Sequence, residues 1–448
     1  MPKFTRRAKR AICLITLLLL APAARPLMID SNSPFFKLQA DEAGTAATGS
    51  QEERILAALD FIRNGKMADA RATVDALLQE QPNYRLAHLL RADLYAMRAI
   101  PLETIGDGAT KILGDNGEQA AAQSSKGLPS ELSVPQLADR LAGLRKEALA
   151  RINYRNMPTP PDLLPANILR FNPQQKYAIL VDADTSRLYI FANDKGVPKM
   201  VKNHYVTVGK LGIGKQIEGD QRTPVGVYFV YKHLPRPQLD KIYGQLADLY
   251  GVGAWPISYP NEFDRSQKKT GSGIWLHGSP AATYARPPQA SNGCVVLTNE
   301  EMLNVAEYLQ IGTTPVIVTP KVQWLTRKQW QERQTAANAK IEQWRSAWES
   351  LDTERYLNFY GTQFISAEGL DLRTWRQQKR QVNTGKKWSK IALSDLSIFA
   401  VTGDAPQIVA TFEQNYTSNN LENKMRKRLY WQPDNGSWRI SWEGNAIN

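Results

Sequence analysis

Cys294 and His277 are the residues of this chain whose types and spacing best suit chemistry. Cys294 lies in "SNGCVV", and His277 ends the apolar run "GIWLH" 17 residues upstream. A free thiol, with a pKa of about 8.5, carries little thiolate at neutral pH and needs a base or cation beside it. His277 can serve either as an ion-pair partner or as the proton acceptor. Gly293 allows a tight backbone turn that would aim amides near Cys294 at the point where its sulfur attacks. That arrangement suits the oxyanion of an acyl-transfer intermediate. A buried structural cysteine near an unrelated histidine fits the same spacing.

The other three histidines offer less. His88 falls in a helical pattern, and His204 and His233 lie in strand-rich stretches without special neighbours. No two histidines have the close helical spacing of a metal site, and the second cysteine, Cys13, lies in the N-terminal segment. A zinc enzyme is disfavoured.

The elements that must position the pair begin at Lys176. "KYAILVDADTSRLYIFANDKGVP" reads as two strands and a turn, and "HYVTVGK", "TPVGVYFVY", "GIWLHG", "CVVL" and "TPVIVTP" read as further short strands. One helix, about Asn299 to Leu309, interrupts them, capped by Thr298 or Asn299 with Gly312 beyond its end. The expectation is a mostly β domain over 176–319.

Within it, "GDQRTPVGVYFV", "SYPNEFD", "GSGIWLHGSP" and "SNGCVVL" occur in this order. Together they resemble the catalytic domain of the YkuD-type L,D-transpeptidases. The resemblance implies that Cys294 attacks the carbonyl between the diamino acid and D-Ala of a peptidoglycan stem tetrapeptide. His277 would move the protons, Gly278 would orient its ring through a backbone carbonyl, and no metal or organic cofactor would be needed. Backbone amides around Ser291, Asn292, Gly293 and Cys294 would line the oxyanion and substrate site. The family's signature has histidine where this chain has Asn292, and a substrate-holding arginine where it has Val296. Arg286, in the loop between His277 and Cys294, is a substitute; an exposed loop arginine is the competing reading.

Upstream of that domain, residues 1–23 hold a basic stretch, the apolar run Ala11–Leu20 and "APA", the layout of a secretory signal, with an uncleaved membrane anchor as the alternative. Periplasmic location follows from that reading. Removing the segment lowers the formal charge from +13 to +8, which suits weak attraction to an anionic envelope polymer or membrane surface, or merely keeps the surface solvated; no nucleic-acid partner is expected. Residues 24–50 read as a tether. Over 51–154, helical spacing such as Ile55, Leu59 and Ile62 resembles a tetratricopeptide hairpin that packs on the rest of the chain or binds a protein partner. A polar linker spans 101–133, and a helix follows from Val134 to Tyr154.

Nine of the eleven tryptophans lie beyond Pro320, so a different core begins there. Residues 338–448 read as one long helix through Trp344, Trp348 and Tyr356, then alternating strands. This α+β segment resembles the cone-like fold of nuclear transport factor 2 (NTF2), which follows the catalytic domain in some L,D-carboxypeptidases. It offers no evident acid–base pair, its tryptophans read as core, and it allows a homodimer. Three functions are therefore expected to compete: transpeptidase, carboxypeptidase or amidase through the same acyl-enzyme, and non-catalytic envelope scaffold.

Overall fold

The computed structural model describes residues 44–98, 100–108, 134–156 and 162–446. The expected export signal and most of the tether and polar linker lie outside these residues. Three N-terminal helices, α1 (Gln51–Arg63), α2 (Met67–Glu80) and α3 (Arg85–Ala96), are joined by a longer α4 (Val134–Asn156). A capping box between Ser50 and Glu53 starts α1. The last residues of the expected tether are pinned rather than loose: Thr45 N donates to Asp69 Oδ1 and Ala47 N to Thr73 Oγ1, both at 2.9 Å.

The β-rich region holds two stacked sheets. The larger has the order β5 (Val197–Tyr205), β4 (Arg187–Asp194), β3 (Tyr177–Asp182), β13 (Pro315–Thr319), β7 (Gly226–Phe229). The second has the order β12 (Val295–Val296), β10 (Trp275–His277), β9 (Gly253–Pro256), β8 (Leu234–Pro235). Alternation explains their packing. Ile179, Val181, Leu188, Ile190, Val316 and Val318 face the second sheet's Trp255, Leu276 and Val295 in one core. The intervening residues Ala178, Leu180, Tyr189, Phe191 and Ile317 join a core with Phe399, Val409, Tyr430 and Trp442 of the C-terminal region. The large sheet is buried on both faces, which is why "YAILV" is apolar without a break.

More helix interrupts this region than the sequence suggested. Besides α7 (Asn299–Ala306), there are α5 (Arg236–Tyr243), running into a 3₁₀ turn over Gly244–Tyr250, and a short α6 (Glu262–Ser266). α5 and the 3₁₀ turn hold on to β8 and β9 through Leu234, Leu239, Ala247 and Ala254. Their few apolar residues lie too close together to display a helical period.

The C-terminal region wraps a six-stranded sheet, β15 (Tyr360–Ser366), β19 (Ser437–Asn445), β18 (Glu422–Asp434), β17 (Gln407–Ser418), β16 (Ser389–Val401), β2 (Ile168–Arg170), with helices. β15 runs parallel to β19 in an otherwise antiparallel sheet. The edge strand β2 comes from before the catalytic region, so the two regions share backbone hydrogen bonding. The single expected helix is two, α8 (Arg327–Glu349) and α9 (Thr353–Leu357). Leu351 adopts φ 61°, and Asp352 caps the new helix. A further helix, α10 (Leu372–Thr384), was not anticipated. Trp330, Trp344 and Trp431 are fully buried, as core residues should be.

Candidate active site

β10 and β12 lie side by side and parallel, with Leu276 opposite Val295 and His277 opposite Val296. Leu276 and Val295 point into the core, so the period of two turns His277 and Val296 to the other face. Cys294 precedes β12 by one residue and is half-buried with a free thiol. The pair singled out in sequence thus sits on adjacent strands.

His277 is 4 % exposed, and its Nδ1 lies 2.7 Å from the carbonyl oxygen of Gly278. A carbonyl can only accept, so Nδ1 carries the hydrogen and Nε2 keeps its lone pair. Gly278 is needed sterically as well: a Cβ there would lie 2.1 Å from Asn299 Oδ1, which itself accepts from Val252 N at 3.1 Å. Burial lowers the pKa of His277 to about 4, assisted by the positive charge of Arg286. Burial likewise raises Cys294 to about 11, against the lowering effects of the Trp275 amide, Arg286 and Lys215. At neutral pH the resting site therefore holds a thiol and a neutral imidazole, not an ion pair. The thiol donates to the carbonyl of Gly273 at 3.4 Å.

The turn before Cys294 is fixed from several sides. Gly293 has φ +119°, and a Cβ on it would meet the Arg222 carbonyl oxygen at 2.8 Å. Thr223 Oγ1 donates to the Gly293 carbonyl at 2.9 Å and accepts from Gly209 N at 2.9 Å. Ser291 Oγ donates to the Cys294 carbonyl at 2.6 Å and accepts from Gly293 N at 3.1 Å. Ser291 and the Gly293 amide are thus spent on shaping the turn. Among the described residues the amides of Asn292 and Cys294 have no acceptor.

Arg286 is half-buried rather than an exposed loop residue, with Nη2 2.5 Å from the Ala290 carbonyl oxygen. Its charge acts on both Cys294 and His277. Val296 is buried beside His277 and offers no charge.

Several neighbours escaped the sequence reading. Tyr250, at the end of the 3₁₀ turn, stands edge-on to His277 with ring centroids 5.3 Å apart and packs on Trp275 at 4.7 Å. Tyr243 completes this aromatic wall, 5.4 Å from Tyr250. Lys215 is buried and held by Asp220 at 2.8 Å, and Asp220 also accepts from the amides of Gln216, Ile217 and Arg222. Only the glycines after the tyrosines ("YGQ", "YGV") hinted at structured turns there. His233 stacks on Trp255 at 4.4 Å, and His204 lies 3.6 Å from Glu301, so both have specific neighbours after all. In the C-terminal region a buried network links Glu443 to Lys427 and Tyr360, each at 2.5 Å. Its members are far apart in sequence, which hid it.

The loop between the two candidate residues is covered by the N-terminal helices. Tyr84 packs on Tyr284 at 4.7 Å, Asn83 Nδ2 donates to the Ala281 carbonyl at 2.9 Å, and Ala285 joins the helical core with Leu77, Leu90 and Ala148. Deeper in, Glu52 binds Arg187 at 3.0 Å and also Arg151, whose guanidinium lies over Tyr205.

Comparison with known proteins agrees with this architecture. Residues 176–318 match the L,D-transpeptidase catalytic domain family, YkuD, and residues 336–444 match the Cds6 C-terminal NTF2-like domain family. No curated protein matches the chain at a significant level. Among solved structures, Bd1075 of Bdellovibrio bacteriovorus is 28% identical with a TM-score of 0.55, over 64% of this chain and 99% of that one. The helical cell shape determining protein Pgp2 of Campylobacter jejuni shares the fold at 23% identity and a TM-score of 0.52, over 67% of this chain and 100% of its own. The chain therefore carries a YkuD L,D-transpeptidase catalytic domain followed by a Cds6-type NTF2-like domain.

Proposed function

We propose that this protein is an exported L,D-transpeptidase that cleaves the diamino acid–D-Ala bond of peptidoglycan stem tetrapeptides through a Cys294 acyl-enzyme and helps set cell shape. The observation that carries this reading is the Gly278 carbonyl on His277 Nδ1, which leaves Nε2 as a base on the strand beside Cys294. For attack, the S–H turns from Gly273 to Nε2, which takes the proton as sulfur bonds to the carbonyl carbon. The oxyanion faces the Asn292 and Cys294 amides. Collapse breaks the C–N bond, and imidazolium returns the proton to the departing D-Ala amine, leaving a thioester. An acceptor amine then attacks, loses its proton to His277 and releases Cys294.

Water as acceptor, giving a carboxypeptidase or amidase, is favoured by one observation: the position beside His277 holds a buried Val296 in place of the substrate-holding arginine, a departure that also occurs in relatives that hydrolyse. Incubation with disaccharide tetrapeptide followed by mass spectrometry tests both. Cross-linked dimers lacking D-Ala support transfer, and tripeptide alone supports hydrolysis. Unchanged substrate with varied acceptors removes both and leaves an envelope scaffold.

A further inference from the structure

Docking of the helical region on the active-site loop creates a groove that neither part has alone. It has a volume of about 560 Å³ and is lined by Arg85 of α3, Arg140 and Gly143 of α4, Lys210, and Arg286 and Pro287 of the loop. Such a volume is within the ordinary range for small-ligand and short-peptide sites. Four cations from four separate stretches of chain meet here, and Asp139 is the one acid among the lining residues. Among the described residues none of Arg85, Arg140, Lys210 and Arg286 has an ion-pair partner, whereas the buried Arg54, Arg151, Arg187 and Arg428 all do. Burial disfavours the charged form of Arg286, and the charge of Arg85 adds to that against the opposing effect of Cys294. The groove also runs along the stretch that leads into the nucleophile turn: Gln289 and Ala290 line it, and Arg286 Nη2 lies 2.5 Å from the carbonyl oxygen of Ala290, four residues before Cys294.

We propose that this groove binds a carboxylate-bearing peptide and delivers it to Cys294, so that Arg85 and Arg140 of the helical region form part of the substrate site. The ligand is a peptide rather than a lipid surface because the groove is a cavity of about 560 Å³ formed between two parts of the chain and lined by Ala290, four residues before Cys294. Its cations match carboxylates along a chain, which guanidinium groups bind with two parallel hydrogen bonds. The identity of that peptide as a stem rests on the function proposed above.

The test uses the full chain with Cys294→Ala to stop turnover, and compares Arg85→Glu and Arg140→Glu in that background. Both residues are exposed, so the fold should tolerate the changes; circular dichroism checks it. The probes are disaccharide tetrapeptide, its carboxyl-amidated form, and tetraglutamate, measured by titration calorimetry. Each reversal is expected to weaken tetrapeptide binding at least tenfold, and the unreversed chain should bind the amidated form equally weakly. With Cys294 restored, KM should rise while kcat holds. Affinities within twofold of the unreversed chain, or equal binding of the amidated form, overturn the proposal. If only tetraglutamate binds, and the reversals abolish that binding, the groove stands and the stem-peptide reading fails. If the unreversed chain binds neither peptide, the groove proposal itself fails.

Discussion

Thr223 holds the carbonyl of Gly293 through a hydrogen bond of 2.9 Å, although 70 residues separate them. This bond sets the turn from which Cys294 emerges, and it gives the "RTPVG" motif a positioning role. Leaving the buried Gly293 carbonyl unpaired costs about 1–3 kcal/mol. Thr223→Val should therefore lower Tm by several degrees and cut kcat roughly tenfold or more. Alkylation of the thiol should still go to completion. An unchanged kcat would show that the turn holds without this bond.

Gly278→Ala places a methyl group 2.1 Å from Asn299 Oδ1. Either the carboxamide or the Gly278 carbonyl must move, and the second outcome frees the His277 ring. Activity should fall by a factor on the order of 100, as for other losses of a positioned base. The double variant with Asn299→Ala should recover part of it, since space is restored.

The dyad predicts a distinctive pH response. With His277 near 4 and Cys294 near 11, kcat/KM should rise as pH climbs through the acid limb near 4 and stay flat across neutrality. Thiolate absorbance near 240 nm should be absent at pH 7. The stability sign follows from proton counting. Below its unfolded pKa of about 6.5, His277 binds a proton only in the unfolded chain, so stability falls as pH drops from about 6.5 to 4. Its contribution across that window is on the order of 3 kcal/mol, and His277→Gln should flatten the acid side of a Tm-versus-pH curve.

Glu262, in the "SYPNEFD" motif, accepts from Arg428 Nη1 of the C-terminal domain at 3.0 and 2.9 Å, with both side chains buried. Arg428→Met would strand a buried carboxylate, which typically costs about 3–5 kcal/mol. Adding Glu262→Gln should return much of that loss. Chemical denaturation of the two variants measures it, and equal stability of the single and double variants would refute the coupling.

Strands were legible where the alternation or the apolar runs were long, as in "YAILV" and "PVIVT". The placement of His277 and Cys294 on neighbouring strands was legible because ordered motifs surround them. The short helices α5 and α6 were not, since five to eight residues hold too few apolar positions to show a period. Tyr250, Lys215 and Thr223 were also hidden, because each reaches the site from a distant part of the chain. The break at Leu351 escaped notice because apolar residues on both sides keep the helical spacing. The shared strand β2 could not be foreseen, as three residues carry no register of their own.

The helical cap over the 278–290 loop also constrains the order of folding. Asn83 and Ala281 are 198 residues apart, so the helices are synthesised long before the surface that covers their apolar stripe. Closing so distant a contact is slow, because chain entropy opposes it until the β domain between has formed. The nascent helices therefore wait with Leu77 and Leu90 only partly sheltered, and the loop that joins nucleophile to base is seated among the last events. The loop that joins Cys294 to His277 is therefore fully seated only when both parts of the chain have folded.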